Sequence, residues 1–271
     1  MIKLLALDLD GTLLDGNRKI PEQTKARLID LRKQGISIIL ATGRTFESAK
    51  RYYYELGLDT PFIGCNGGVI YQPDQDRIIK GAAFSKEDFI DVIEKLSALG
   101  VFYQYYGLHC IYAKRLAFGV KRWKCENIDL PKEWQMQIRL VEDPLLWARE
   151  EYHPVYKILA RSSSQEKLDE VADVIEQMEG IDTVSSFALG LDIGPADCDK
   201  GKALEVVGKA LGMRPEEILA MGDNDNDREM IRFAGLGIAM GNATKAAKEA
   251  ADYCMNVNDG PGVLQALDRF L

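Results

Sequence analysis

Histidine is nearly absent: only His109 and His153 occur in 271 residues, too few to favour a zinc site or a histidine-based triad. The five cysteines (65, 110, 125, 198 and 254) are scattered, odd in number and lack CxxC spacing. They read as small buried thiols in a reducing, cytoplasmic compartment. No apolar run approaches the roughly 20 residues of a membrane helix. The opening "MIKLLALDLD" also puts acids where a signal peptide would continue its apolar core, so neither membrane nor export is expected. Basic surplus is missing too. Lys and Arg number 34 against 42 Asp and Glu, a net charge of −8, which argues against nucleic acid as the main partner. Small phosphates stay open, because they need only a local positive site. There are no internal repeats or low-complexity tracts, and nothing bears on oligomeric state.

What is present is an ordinary globular composition, 46% hydrophobic and 28% charged, enough for one large or two modest domains. The run "LLALDLDGTLL" (4–14) reads as a buried parallel strand ending at Asp8. "PEQTKARLIDLRKQG" follows as a helix with Pro21 in its first turn and Gly35 as its stop. "ISIILATGR" predicts a second buried strand ending at Thr42, "TFESAKRYYYELGL" a helix, and "PFIGCNGGVIY" short strands around a Gly-rich turn. Near residue 82 the pattern changes. "KEDFIDVIEKLSALG" is an amphipathic helix and "VFYQYYGLHCIYA" alternates like antiparallel hairpin strands. Residues 114–153 hold all three Trp and read as helices and loops. A strand ("PVYKILARSS"), a helix ("QEKLDEVADVIEQMEG") and the alternation Phe187, Leu189, Leu191, Ile193 complete this part. From Lys200 the first pattern returns, with strands at "EEILAMG" and "GLGIAM" between helices. The expected fold is therefore α/β: a Rossmann-like parallel-sheet core domain, residues 1–82 plus 188–271, interrupted by an inserted α+β domain, 83–187.

Polar residues follow three of the predicted parallel strands directly: Asp8, Thr42 and Asp223. In open α/β sheets the carboxyl ends of the strands form the ligand crevice, so these three can converge although far apart in sequence. "GDNDNDREM" packs Asp223, Asp225 and Asp227 into a strand-to-helix turn; it is either a site for a hard cation such as Mg2+ or a solvated acidic turn. Asp8 and Asp10 alone are equally compatible with buried structural carboxylates. Four or five acids in one crevice, however, are hard to explain without a divalent metal. Thr42 and Gly43 suit an anion cradle, or a helix cap. Lys200, in the first turn of a helix, opposes the macrodipole unless an anion sits beside it. Metal, hydroxyl, backbone amides and a lysine around a reactive carboxylate describe phosphoryl transfer.

On these residues the chain resembles the haloacid dehalogenase-like superfamily of aspartate-nucleophile phosphatases. "DLDGTLL", "LATGR", Lys200 and "GDNDND" are similar to its four motifs, in order; "CNGG" (65–68), "AMGNA" (239–243) and "DGPGVLQAL" (259–267) resemble its Cof-type branch. The resemblance implies Asp8 as nucleophile and Asp10 as general acid and then base. It implies Mg2+ held by Asp8, the Asp10 backbone carbonyl and Asp223, with Asp227 close by. The phosphoryl group would be held by Thr42, Gly43, Lys200, Asn226 and the Leu9 backbone N–H. The 158 positions from Thr42 to Lys200 place the insert where the branch carries its larger (type IIB) α+β cap, the part that closes over the core and selects substrate. The segment "LDIGPADCDKG" departs from the usual pattern, with Asp192 for Glu, where the chain is expected to return to the core. The expected activity is Mg2+-dependent hydrolysis of a small phosphorylated metabolite, a sugar phosphate or similar. A phosphomutase of the phosphomannomutase type is one alternative, and a non-catalytic phosphosugar-binding regulator another.

Overall fold

The computed structural model describes every residue except Ala188, and every side chain except those of Ala188, Asp129, Ser186 and Phe187. The expected inward placement of Phe187 thus lies outside the described residues. In chain order the first elements are β1 (Leu4–Leu7), α1 (Glu22–Lys33), β2 (Ser37–Leu40), α2 (Phe46–Glu55), β3 (Phe62–Gly64), β4 (Val69–Gln72) and β5 (Arg77–Gly81). Then come α3 (Lys86–Ala98), β6 (Phe102–Tyr106), β7 (Ile111–Ala113), α4 (Phe118–Glu126), β8 (Ile138–Leu140) and α5 (Pro144–Glu150). These are followed by β9 (Lys157–Arg161), α6 (Gln165–Ile175), β10 (Ile181–Phe187) and β11 (Gly190–Pro195). The chain ends with α7 (Lys200–Ala210), β12 (Ile218–Gly222), α8 (Arg228–Phe233), β13 (Leu236–Ala239), α9 (Lys245–Ala250), β14 (Tyr253–Cys254) and α10 (Asp259–Phe270).

Two compact units result. The first comprises Met1–Gly43, Arg51–Lys80 and Asp199–Leu271; the second Arg44–Lys50 and Gly81–Cys198. The first unit carries a parallel five-stranded sheet in the order β14-β13-β12-β1-β2. All four residues of β1 are fully buried, which is why that strand is apolar without alternation. Register aligns the strand ends: Leu7 pairs with Leu40 on one side and Met221 on the other, so the residues that follow emerge together. β3 is bridged to the end of β2 through Ala41–Ile63 and pairs antiparallel with β4 in a three-stranded sheet of order β3-β4-β5. The fully exposed β5 and the two-residue β14 have no hydrophobic pattern of their own and were not foreseeable.

The second unit holds a six-stranded sheet, β10-β11-β9-β6-β7-β8, antiparallel except for β7 with β8. Phe89, Tyr103, Tyr105, Trp147 and Leu168 pack together on its helix side. Trp147 is thus a core residue, in a segment whose short edge strand β8 sequence reading missed. The expected boundary after 187 is corrected: β11 pairs with β9 and β10, so the strand at 190–195 belongs to the insert, and the first unit resumes at Asp199. Asp192 accordingly is no part of a return loop. It is buried and ion-paired with Lys157 at 3.0 Å.

Candidate active site

The site grows from the ends of β1 and β12, within the first unit. Asp8 extends β1, its N–H donating to the Met221 carbonyl at 3.1 Å, and its side chain is buried among strand ends. The next residues turn sharply: the Leu9 carbonyl accepts from the N–H groups of Leu13 (3.0 Å) and Leu14 (2.9 Å). That turn leaves Leu9 buried and sends Asp10 to the exposed side, where it bridges to Leu14. Nucleophile and acid candidates therefore occupy different environments two positions apart.

Lys200 is fully buried at the first position of α7, whose start is capped by the Asp199 carboxylate accepting from Lys202 N–H at 2.7 Å. The Lys200 Nζ donates to Asp8 Oδ1 and to Asp227 Oδ1, both at 2.6 Å. The anion that its unfavourable helix position demanded is thus present twice over. Asp227 uses its other oxygen to accept from the N–H groups of Asp223 (2.9 Å) and Asn224 (3.0 Å), which folds the acidic turn back on itself. Asp223 accepts from the Thr12 hydroxyl at 2.8 Å and from Asn242 Nδ2 at 3.0 Å, and Asn242 also donates to the Gly11 carbonyl at 2.9 Å. Gly11, at φ 87°, is required here: a side chain would overlap the Asp223 carboxylate.

Asp8, Asp223 and Asp227 each offer an oxygen within 4.8 Å of the others. Three carboxylates against one ammonium leave a charge of −2 in a buried place if all are ionised. Burial accordingly drives the Asp8 carboxyl well above its ordinary range; Lys200 opposes this, and the Asp227 and Asp223 charges add to it. Asp223 is pushed up to about 7 by burial and by Asp227, against the Thr12 hydrogen bond. Burial alone would lower the Lys200 pKa, but Asp227 and Asp8 outweigh it and hold it raised, so this lysine stays charged. An all-oxygen set short of positive charge is the donor chemistry a hard divalent cation takes.

Thr42 and Gly43 follow β2, with Thr42 buried and its N–H donating to Ile63 O at 2.9 Å. Asn226 lies in the acidic turn, its Nδ2 donating to Asn66 Oδ1 at 2.9 Å. Asp225 is exposed and accepts from the Thr244 hydroxyl at 2.7 Å, away from the carboxylate cluster. The structure thus joins Asp8, Lys200, Asp223 and Asp227 by direct contact, while the Asp10 carboxylate is not in that cluster. Sequence reading missed Thr12, Asn242 and Asn66. Their signals were a hydroxyl two residues after Asp10 and two Asn-containing turns, "CNGG" and "AMGNA", each following a strand.

The family model for haloacid dehalogenase-like hydrolases matches residues 5–267. The chain belongs to this family. As a haloacid dehalogenase-like hydrolase it is an enzyme. It is 28% identical, over 286 aligned positions covering all of both chains, to Phosphatase YwpJ of Bacillus subtilis (strain 168). It is also 28% identical to 5-amino-6-(5-phospho-D-ribitylamino)uracil phosphatase YitU of the same organism, over 98% of this chain and 97% of that one. The crystal structure of a haloacid dehalogenase-like hydrolase from Bacteroides thetaiotaomicron matches with TM-score 0.85 at 28% identity, over the whole of both chains.

Proposed function

We propose that this hydrolase is a Mg2+-dependent phosphatase that releases phosphate from a small phosphorylated metabolite, a sugar phosphate or similar, through an aspartyl-phosphate on Asp8. One observation carries the reading: the strand-end carboxylate of Asp8 is held by Lys200 inside a buried cluster of three carboxylates against that one ammonium. A carboxylate so placed is a nucleophile that needs no deprotonating base once the cluster's charge is balanced. Relatives named as phosphatases, one of them acting on a phosphoribityl compound, support the substrate class.

Asp8 attacks phosphorus; the new Asp8–phosphorus bond forms as the bond to the leaving oxygen breaks, and Asp10 donates its proton to that oxygen. The exposed position of Asp10 suits it to exchange protons with a substrate or water, whereas Asp8 is shielded. Water then attacks phosphorus, Asp10 takes its proton, and the bond to Asp8 breaks to free phosphate. Lys200, the Thr42 hydroxyl and the backbone N–H groups of Leu9 and Gly43 hold the phosphoryl oxygens, with the Asn226 carboxamide alongside. Asp8, Asp223, Asp227 and the Asp10 carbonyl would hold Mg2+, which when bound neutralises charge on the phosphoryl group. The inserted unit would select the substrate, and five free cysteines without CxxC spacing support a reducing, cytoplasmic location, although only Cys65 is buried.

The decisive experiment is Asp8→Asn assayed on a generic aryl phosphate. Turnover should fall by at least ~10^4-fold, as for loss of a covalent nucleophile, and acid-quenched protein should lose its covalently bound phosphate. Near-wild-type turnover in Asp8→Asn would sink the mechanism. Hexose phosphate isomerisation with little phosphate release would replace hydrolysis by mutase chemistry.

A further inference from the structure

Residues 65–67 follow β3 and take the left-handed conformation three times in succession: φ is 52° at Cys65, 57° at Asn66 and 94° at Gly67. Two of the three are not glycine, and this backbone region is unfavourable for residues that carry a Cβ. A turn this unfavourable persists only where its surroundings fix it, and its neighbours are the functional loops. The Asn66 N–H donates to the Thr42 carbonyl at 3.1 Å. Its side-chain oxygen accepts from Asn226 Nδ2 at 2.9 Å, across 160 positions of sequence. A side chain at Gly67 would overlap the carbonyl of Asp199, the residue before Lys200. A Cβ placed on Gly43 would stand 2.7 Å from the Asn66 oxygen, so Gly43 makes room for this side chain. Asn66 itself is buried.

We propose that Asn66 is a positioning residue: its carboxamide aims Asn226 while its backbone holds the Thr42–Gly43 turn, setting both into one phosphate-binding arrangement. Asparagine suits the place for two reasons. It tolerates the left-handed turn better than other side chains, and it carries an acceptor long enough to reach the acidic turn. Preorganised donors bind better because their ordering is complete before the ligand arrives. Gly43 thereby acquires a second role, as the residue that admits the Asn66 amide.

The inference rests on the phosphatase reading, so the test separates the two. Binding of inorganic phosphate in the presence of Mg2+ is measured by calorimetry for wild type, Asn66→Gly, Asn226→Ala and the double variant, with thermal unfolding alongside. Asn66→Gly keeps the left-handed backbone accessible and removes only the carboxamide. Each single variant should weaken phosphate binding about tenfold, and the double variant no more than either single one, because both remove the same interaction. Gly43→Ala, which displaces the amide, should resemble Asn66→Gly. Asn66→Asp, which retains an acceptor, should restore the coupling: Asn226→Ala in that background should again cost several-fold. Losses that multiply in the double variant, or unchanged affinity in Asn66→Gly, would overturn the role of Asn66 while leaving the phosphatase reading intact. If Asn66→Gly fails to fold, the same cycle run with Asn66→Asp and Gly43→Ala decides it. A wild-type protein that neither binds phosphate nor turns over aryl phosphate would overturn both.

Discussion

Each unit of this protein buries a lysine against aspartate, and the two burials differ in one respect. In the second unit Lys157 is ion-paired with Asp192, with Nζ 3.0 Å from one carboxylate oxygen and 3.1 Å from the other. The same ammonium stands 4.8 Å from the centre of the Tyr106 ring, close enough for the negative face of the ring to attract it. The charges of that pair sum to zero. In the first unit Lys200 is shared by Asp8 and Asp227, with Asp223 beside them, and the group is two charges short of neutrality. A balanced buried pair repays its desolvation and then has nothing left to do. An unbalanced one holds a standing demand for a proton or a cation, and that demand is what a catalytic site uses. Burial of a charged residue is therefore uninformative by itself; the local sum of charges separates structure from chemistry.

The largest effect that sharpens this contrast is expected from Lys200→Met. It leaves three buried carboxylates with no cation, so metal-free protein should lose about 3–5 kcal/mol of stability and turnover should fall by more than ~10^3-fold. Added Mg2+ should recover part of the melting temperature but none of the activity. Denaturant unfolding with and without the ion, alongside aryl phosphate assays, reads both.

Lys157→Met should be smaller and purely structural. It strands Asp192 and should cost about 3 kcal/mol, whereas Lys157→Met with Asp192→Leu should recover most of the loss, because two apolar groups replace a closed pair. Turnover per folded molecule on an aryl phosphate should stay within about threefold of wild type in the double variant. A collapse of turnover there would erase the distinction between the two lysines.

A third effect, spread over several pH units, is in the pH dependence of metal-free protein. Asp223 titrates from 3.8 in the unfolded chain to about 7 in the folded one. Below 3.8 both states carry the proton; between 3.8 and about 7 the folded state alone keeps it; above that, both are ionised and only the folded state buries the charge. Stability should therefore fall as pH rises from about 4 to 8, by at most about 4 kcal/mol, with Asp8 acting in the same direction. Mg2+ should flatten or reverse that slope. Melting temperatures between pH 5 and 8 in chelator and in Mg2+ check it, and a chelated protein that gains stability over this range would contradict the buried charge excess.

Much of the fold and of the site was legible before the structure. β1, β2 and β12 are buried on both faces, and continuous apolar runs with an acid or hydroxyl at the end announce such strands. α7 was legible through Lys200, because a lysine in a first turn requires an anion. What escaped notice had no local pattern. β8 and β5 are short or exposed, so no periodicity forms; the alternation of Leu191 and Ile193 marks β11 as a strand, but nothing local says which unit it joins, so the boundary expected at 187 fell ahead of it. Thr12, Asn242 and Asn66 are ordinary turn residues in sequence; their meaning lies in partners up to 211 positions away.

By itself the sequence determined the class of chemistry. An acid two residues from another at a strand end, a threonine after a second strand, a lysine at a helix start and an acidic turn are local features, set by composition within a few residues. Tertiary structure alone decided the charge balance. Only strand register can bring Asp8, Asp223 and Asp227 within 4.8 Å around one ammonium, and only side-chain packing can seat Asn66 between Gly43 and Asn226. Electrostatic energy depends on distance and on exclusion of water, and neither is written along the chain.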